Sequence, residues 1–166
     1  MKRLFLHMTI AAALLAFCGH AAAEFRDSVA AFVDNQAITV SELREQHRRT
    51  AEITPGISLL DVLNTMINRL LLLREAKKYR IEAPTSDEVL REYIDLKVRA
   101  FIRVSEDEAL NFYRDNKERF GQKDYLDVRD EIEDYIIEKE LNVRLKDTIR
   151  DLREKSYIRV NLSDKP

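Results

Sequence analysis

The chain has 166 residues, of which 45% are hydrophobic and 35% are charged, and its formal net charge at pH 7 is −2. Acidic and basic residues are interspersed along the sequence, which argues against nucleic acid as a partner. The single cysteine is Cys18, so disulfides cannot stabilise the rest of the chain. At this length we expect one domain with a modest core.

The first residues have the pattern of a secretory signal peptide. Met1–Arg3 is positively charged, Leu4–Phe17 is mostly apolar, and Ala21–Ala23 has the small residues of a cleavage site. The apolar run is shorter than the roughly 20 residues of a membrane span. We therefore predict cleavage after Ala23, a periplasmic location and no stable membrane insertion. An alternative is lipidation of Cys18, although bulky Phe17 stands where lipoprotein signals have a small residue.

Removal of residues 1–23 leaves 26 basic and 30 acidic residues, a net charge of about −4, and one histidine. That histidine, His47, lies among charged residues and is interpreted as a solvated surface residue. Carboxylates alternate with Lys and Arg at helical spacings, which indicates a solvated helix face and not a metal or acid/base site. We predict no catalytic residue, no metal and no cofactor.

Glycine and proline are rare after residue 23, which predicts long helices. Capping signals and apolar periodicity place these helices at about 40–50, 58–80, 86–103, 106–118 and 124–155. In the second helix most apolar residues share one broad face, whereas Leu72 is predicted on the opposite, polar side. The last helix should measure about 45 Å and outreach a compact body of this size, so an elongated molecule is expected.

The two ends of this region have the pattern of strands. Residues 29–33 and 37–40 flank a turn sequence and predict a hairpin, and residues 157–162 alternate apolar and polar side chains. Because a lone hairpin is marginally stable, the last strand is its expected partner. The predicted fold class is mainly α: an elongated multi-helix domain, with a small β-sheet formed by an N-terminal hairpin and a C-terminal strand.

Several segments, in order, resemble the SurA-type periplasmic chaperones. They are Val29–Leu43 (VAAFVDNQAITVSEL), Met66–Ala76 (MINRLLLLREA), Val104–Phe120, Val128–Ile132 and Leu152–Val160. The resemblance implies that residues 24–166 form a domain like the SurA N-terminal domain. In that family a parvulin-type prolyl isomerase domain would lie between Phe120 and Tyr125. Here four residues join the two flanks, so the resemblance implies a chaperone core without its isomerase domain.

Aromatic side chains are concentrated between residues 93 and 135, and most are expected in the core. Some are expected to line an open apolar surface that binds extended polypeptide. The predicted peptide-binding residues are Met66, Leu72, Phe101, Phe112, Tyr113 and Tyr135. Flexible side chains such as Met66 and Leu72 would suit varied partners.

The predicted function is an ATP-independent periplasmic chaperone, or holdase, that binds unfolded outer-membrane or secreted polypeptides. One alternative is a peptidyl-prolyl cis-trans isomerase. Another is a dedicated assembly or adaptor subunit that binds one folded partner. The oligomeric state stays open, because the strands and helices near the two ends could exchange between copies.

Overall fold

The computed structural model describes residues 27–162, so the predicted signal peptide, its cleavage site and Cys18 lie outside the described residues. The helices are α1 (Val40–Ile53), α2 (Leu59–Lys78), α3 (Ser86–Lys97), α4 (Glu106–Asp115), α5 (Lys117–Phe120) and α6 (Tyr125–Glu154). A 3₁₀ turn, Arg99–Phe101, follows α3, and the strands are β1 (Val29–Val33), β2 (Gln36–Thr39) and β3 (Ile158–Val160). The predicted fold class, mainly α with a small sheet, is confirmed.

The sheet is antiparallel in the order β2-β1-β3, so the C-terminal strand pairs with the first strand of the hairpin, as predicted. Asp34 makes the hairpin turn with a φ of 52°, a left-handed conformation that Asp tolerates better than most residues. Its N–H donates to the carbonyl of Tyr157 at 2.7 Å, which continues the pairing of β1 with β3 into the turn.

The helix starts follow the capping residues in the sequence. The Thr39 and Thr85 hydroxyls each accept from a backbone N–H three residues on, and Glu42 and Glu88 reach back to the two threonine N–H groups. These reciprocal bonds satisfy backbone donors that a helix start otherwise leaves free. Ser58 and Ser105 cap α2 and α4 with their side chains, so these four predicted starts are confirmed.

Two predicted helices are shorter than expected. The helix predicted over 86–103 ends at Lys97, and the 3₁₀ turn after it brings buried Val98 and Ile102 against Leu141 of α6. The helix predicted over 106–118 ends at Asp115, because the Asn116 side-chain amide donates to the carbonyl of Phe112 at 2.9 Å. Local side-chain packing and capping therefore override the continuous helical pattern.

Helix α6 connects three apolar clusters along its length of about 45 Å. Leu152, near its C-terminus, packs in the largest cluster with the sheet, α1, α2 and α3. Leu141 packs in the small cluster after α3, and Val128, Ile132 and Ile136 pack with α4 and α5. The sheet with α1–α3 is called the sheet end below, and α4–α5 with the N-terminal half of α6 is called the aromatic end.

The prediction that Leu72 lies on a polar helix side is wrong, because this side chain is 6% exposed and belongs to the largest cluster. Helix α2 contacts α1, α3, α6 and β1, so its C-terminal half is covered on several sides. A helix surrounded in this way buries side chains around most of its circumference, and a single apolar face does not describe it.

A polar clasp fastens the two ends of the described chain to α2. Arg74 forms an ion pair with Asp34 of the hairpin turn, and its guanidinium donates to the Ser156 hydroxyl at 2.6 Å. Asp34 also accepts from the Tyr157 N–H at 2.8 Å. The clasp fixes the register of the last strand, because it joins the turn, the helix and the residue before β3.

Candidate functional site

An open groove with an apolar floor lies between α1 and α2, and is called the α1–α2 groove. It has a volume of about 650 Å³, and its apolar lining comprises Ala37, Ile38, Ile57, Val62, Met66 and Leu70. The walls of the groove are α1 and α2, and a capping residue determines where each helix begins. Thr39 caps α1. Ser58 caps α2, and its hydroxyl accepts a hydrogen bond from the Asp61 N–H. Pro55 and Gly56 form the turn between the helices, where Gly56 has a φ of 83°. The groove thus comes from a tight helix connection.

The rim of the α1–α2 groove is charged, and its charges pair with one another. Arg49 lies 3.3 Å from Glu45 on α1, and Arg69 of α2 lies 2.5 Å from Asp87 at the start of α3. Exposed pairs of this kind contribute at most about 1 kcal/mol each to stability. Because these rim charges are already paired, the rim offers little selectivity for the charge of a ligand.

His47 is half-buried beside this groove, which corrects its interpretation as a solvated surface residue. Its Nε2 lies 2.9 Å from the carbonyl oxygen of Ile57. The contact ties the middle of α1 to the turn before α2, and Ile57 is part of the groove lining. His47 therefore has a positioning role here, and no acid or base partner is needed to account for its placement.

Strand β2 lies at one end of the α1–α2 groove and is an edge strand of the sheet. Val33 and Gln36 close the two-residue hairpin turn, so Ala37 occupies a position whose N–H and C=O face away from β1. Exposed Ala37 thus presents backbone hydrogen-bonding groups beside an apolar floor. An extended peptide can use both features together.

A second, smaller groove lies at the aromatic end and is called the aromatic groove. It has a volume of about 200 Å³ and is lined by Phe112, Arg119, Phe120, Lys123, Glu131, Ile132 and Tyr135. The rings of Phe112 and Tyr135 lie 5.1 Å apart between centroids, and those of Phe112 and Phe120 lie 6.5 Å apart, edge to face. Buried Ile132 completes the apolar lining.

The chain between α5 and α6 folds back tightly at this groove. The Lys123 N–H donates to the Phe120 carbonyl at 3.2 Å, and Gly121 between them has φ 61° and ψ −120°. These angles belong to a type II′ turn, which favours glycine at this position. The buried Tyr113 hydroxyl donates to the Lys123 carbonyl at 2.8 Å, and its ring stacks on Phe120 at 5.6 Å. Tyr113 is therefore a support under the groove.

Polar contacts hold the start of α4 against α6. The Tyr125 hydroxyl donates to Glu106 at 2.8 Å, and the Arg129 Nε donates to the same carboxylate at 2.9 Å. The Tyr125 hydrogen bond, followed by that from Arg129, lowers the pKa of Glu106 below its usual value. Desolvation and the bond to Glu106 raise the pKa of Tyr125. These contacts align the helices from which Phe112 and Tyr135 enter the groove.

The charges at the mouth of the aromatic groove are arranged differently from those of the α1–α2 groove. The Arg119 guanidinium carbon lies 5.6 Å from the centroid of the Tyr135 ring, in cation–π geometry. Within residues 27–162, Arg119, Lys123 and Glu131 form no salt bridge. The mouth thus presents two cations and one carboxylate that are not paired in this part of the chain.

The six predicted peptide-binding residues fall into distinct places. Phe112 and Tyr135 meet in the aromatic groove, with Tyr135 45% exposed, and Met66 lines the α1–α2 groove. Phe101 is 64% exposed but lines neither groove. Leu72 and Tyr113 are 6% and 8% exposed, so they support the fold and have little surface to offer a ligand.

Ile57, Phe120 and Arg119 line the grooves but were not among the predicted site residues. Sequence signals for them existed. Ile57 follows Pro-Gly directly, where a turn places an apolar residue at a surface, and Arg119-Phe120 precede the glycine of a turn.

Within the described residues, no three His, Cys, Asp or Glu side chains converge as a metal site would require. No helix between residues 27 and 162 is both long enough and apolar enough to cross a membrane. Comparisons with models of protein families, with curated proteins and with solved structures found no match to this chain.

Proposed function

We propose that this protein is an exported, ATP-independent holdase that binds unfolded outer-membrane or secreted polypeptides in the periplasm. The observation that carries the proposal is the α1–α2 groove, an open apolar channel beside β2, an edge strand of the sheet in residues 27–162. The ordered sequence resemblance to SurA-type chaperones and the pattern of a signal peptide support the same function and location.

The dimensions of the groove suit an extended segment of polypeptide. Its volume of about 650 Å³ lies within the range of roughly 300–1,000 Å³ that is typical of ligand sites. Burial of one aliphatic client side chain would contribute about 1.5–3 kcal/mol, and ordering the client would offset part of this gain. Two or three such side chains would then give weak, reversible binding, as a holdase requires.

The paired rim supports a broad client range. Since Arg49 pairs with Glu45 and Arg69 with Asp87, recognition would depend mainly on apolar client side chains. Met66 adds a flexible side chain that can adapt to different shapes. Such a surface favours many unfolded clients over one folded partner.

Large apolar residues are also exposed outside the two grooves. Several large apolar side chains are about half exposed or more. Examples are Ile53, Leu60, Leu96, Phe101, Leu126 and Val143. Single apolar residues at a surface are common in proteins of every function. The proposal therefore depends on the groove and assigns no client contact to these exposed residues.

The direct test is a light-scattering assay of an unfolded outer-membrane protein that aggregates on dilution. The protein comprising residues 24–166 should delay aggregation, and Met66→Glu should lose most of the delay because it places a charge in the apolar groove. Leu126→Glu is the matched control, since Leu126 is 81% exposed and lines neither groove. Absence of any delay, or equal losses in both variants, would contradict the proposal.

A further inference from the structure

We infer that the aromatic groove binds one aromatic side chain of an extended polypeptide in which an acidic residue lies next to the aromatic one. The inference rests on the proposed function only in assigning the segment to an unfolded client. It adds a preference for a particular client sequence. The site of this preference lies at the opposite end of α6 from the α1–α2 groove.

The size and lining of the groove favour a single aromatic ring. Its volume of about 200 Å³ is below the range of sites for drug-sized ligands, so it accommodates one side chain and not a folded surface. Phe112 and Tyr135 pack against each other in the lining with their ring centroids 5.1 Å apart, and Phe120 meets Phe112 edge to face. A further ring can continue this packing, because aromatic pairs favour edge-to-face and offset geometry at centroid distances of about 4.5–7 Å.

The groove mouth favours an anion beside that ring. Arg119 and Lys123 outnumber Glu131, and none of the three has a salt-bridge partner within the described part of the chain. Arg119 is held over the Tyr135 ring, so its guanidinium stays close to the groove. A client carboxylate next to the bound ring would gain charge-assisted hydrogen bonds, whereas a client lysine would face two like charges.

The contrast with the α1–α2 groove locates charge selectivity at the aromatic end. Arg49 and Arg69 at the first groove already have carboxylate partners at 3.3 Å and 2.5 Å. An incoming carboxylate would have to displace those partners and would gain little. The two grooves therefore select differently: one for apolar character, the other for an aromatic–acidic pair.

The test uses three short peptides that are acetylated, amidated and labelled with a fluorophore, and that differ only in a central Phe-Asp, Phe-Lys or Ala-Asp pair. In fluorescence anisotropy with the protein comprising residues 24–166, the Phe-Asp peptide should bind roughly three- to tenfold more tightly than either other peptide at low salt. The preference over Phe-Lys should shrink at high salt, because exposed charges are screened. Equal affinity for all three peptides would overturn the inference.

Charge-reversal variants test whether the preference for the Phe-Asp peptide comes from the aromatic groove. Arg119→Glu combined with Lys123→Glu should invert the preference to Phe-Lys, while Arg114→Glu combined with Lys117→Glu is the matched control on neighbouring exposed positions outside the groove. An equal change in both double variants would overturn the inference. Chemical-shift changes of Phe112 and Tyr135 on adding Phe-Asp peptide to the unchanged protein provide a second readout, and their absence would overturn it too.

These outcomes separate the inference from the proposed function. Peptide affinities report on the aromatic groove, whereas the aggregation delay and its loss in Met66→Glu report on the α1–α2 groove. A protein that prefers the Phe-Asp peptide but does not delay aggregation would retain the inference and refute the holdase. A protein that delays aggregation but binds the three peptides equally would support the holdase and refute the inference.

Discussion

The sheet end and the aromatic end are built on the same helix but differ in how their cores are made. At the sheet end the core draws on three strands and four helices, and its members are mostly aliphatic. At the aromatic end a short helix, a single turn and half of α6 enclose only five buried residues, with aromatic rings around them. Local stability follows the extent of buried apolar contact, so the aromatic end should open more easily.

The two ends therefore support different kinds of recognition. At the sheet end, a large aliphatic core positions α1 and α2 as the walls of a wide groove. The charged residues at the rim of that groove are paired with one another. A small aromatic core leaves ring faces partly exposed. Helix α5 and the turn after it supply Arg119 and Lys123, which have no carboxylate partner among residues 27–162.

Substitutions that create a cavity should show most clearly that the two ends differ in stability. Leu63 is fully buried at the sheet end, and Leu63→Ala should cost about 2–5 kcal/mol of unfolding free energy, measured by urea denaturation. Ile132→Ala at the aromatic end should raise amide hydrogen exchange mainly in α4, α5 and the start of α6. If Ile132→Ala instead raised exchange throughout the sheet, the two ends would not be separable in stability.

The clasp between Arg74 and Asp34 should stabilise the sheet end and not the aromatic end. Asp34→Ala removes the partner of a half-buried guanidinium and should cost about 1–3 kcal/mol in urea denaturation. Asp34→Asn is the control for the left-handed turn conformation, which asparagine also tolerates, and should cost less. A double-mutant cycle with Arg74→Ala that shows no coupling energy would contradict the clasp.

Strain at the turn before α6 should affect the aromatic end. Gly121 has φ 61° and ψ −120°, and nothing lies within 4 Å of where a Cβ would stand. Gly121→Ala should therefore cost about 1–2 kcal/mol through backbone strain and not through a clash. Gln122→Ala at the next position is the matched control and should change the unfolding free energy by less than about 0.5 kcal/mol. Similar costs for both would show that the turn is relaxed.

The smallest effect concerns alkaline pH. Burial, with help from the nearby Glu75 and Tyr79, raises the pKa of Tyr93 to about 12 from its usual 10.0. The unfolded chain ionises first, so the stability contributed by this neutral hydroxyl is complete below about pH 10 and is lost between about pH 10 and 12. Tyr93→Phe cannot ionise and should lose less stability than the unchanged protein over that interval. An identical pH dependence in the two proteins would place Tyr93 in a solvated site.

The parts of the fold that depend on local signals were predictable. Capping residues such as Thr39 and Thr85 determine helix starts by hydrogen bonds within four residues, and the period-two pattern after Tyr157 marked the last strand. The burial of Leu72 was mispredicted because it depends on tertiary contacts. Leu72 lies in a run of four leucines, Leu70–Leu73, where periodicity has no phase and only the neighbours of α2 decide burial.

The candidate site was predictable only in part for the same reason. Phe112 and Tyr135 were expected to contribute to a binding surface, but their meeting across α4 and α6 depends on the turn at Gly121 and on the support of Tyr113. The charge pattern of the α1–α2 groove could be predicted only in part. The pair of Glu45 and Arg49 follows from helical spacing, whereas the pair of Arg69 and Asp87 joins residues from different helices. Residue type indicated the chemistry, and the fold determined which charges remain available.

Site-specific photocrosslinking in periplasm-containing cells would identify what the α1–α2 groove binds. A photoreactive residue at Met66, in the α1–α2 groove, should crosslink to several unfolded outer-membrane or secreted polypeptides. The same residue at Leu126, exposed but outside both grooves, should crosslink to few or none. Crosslinks from Met66 to a single folded partner, or equal crosslinking from both positions, would contradict the account.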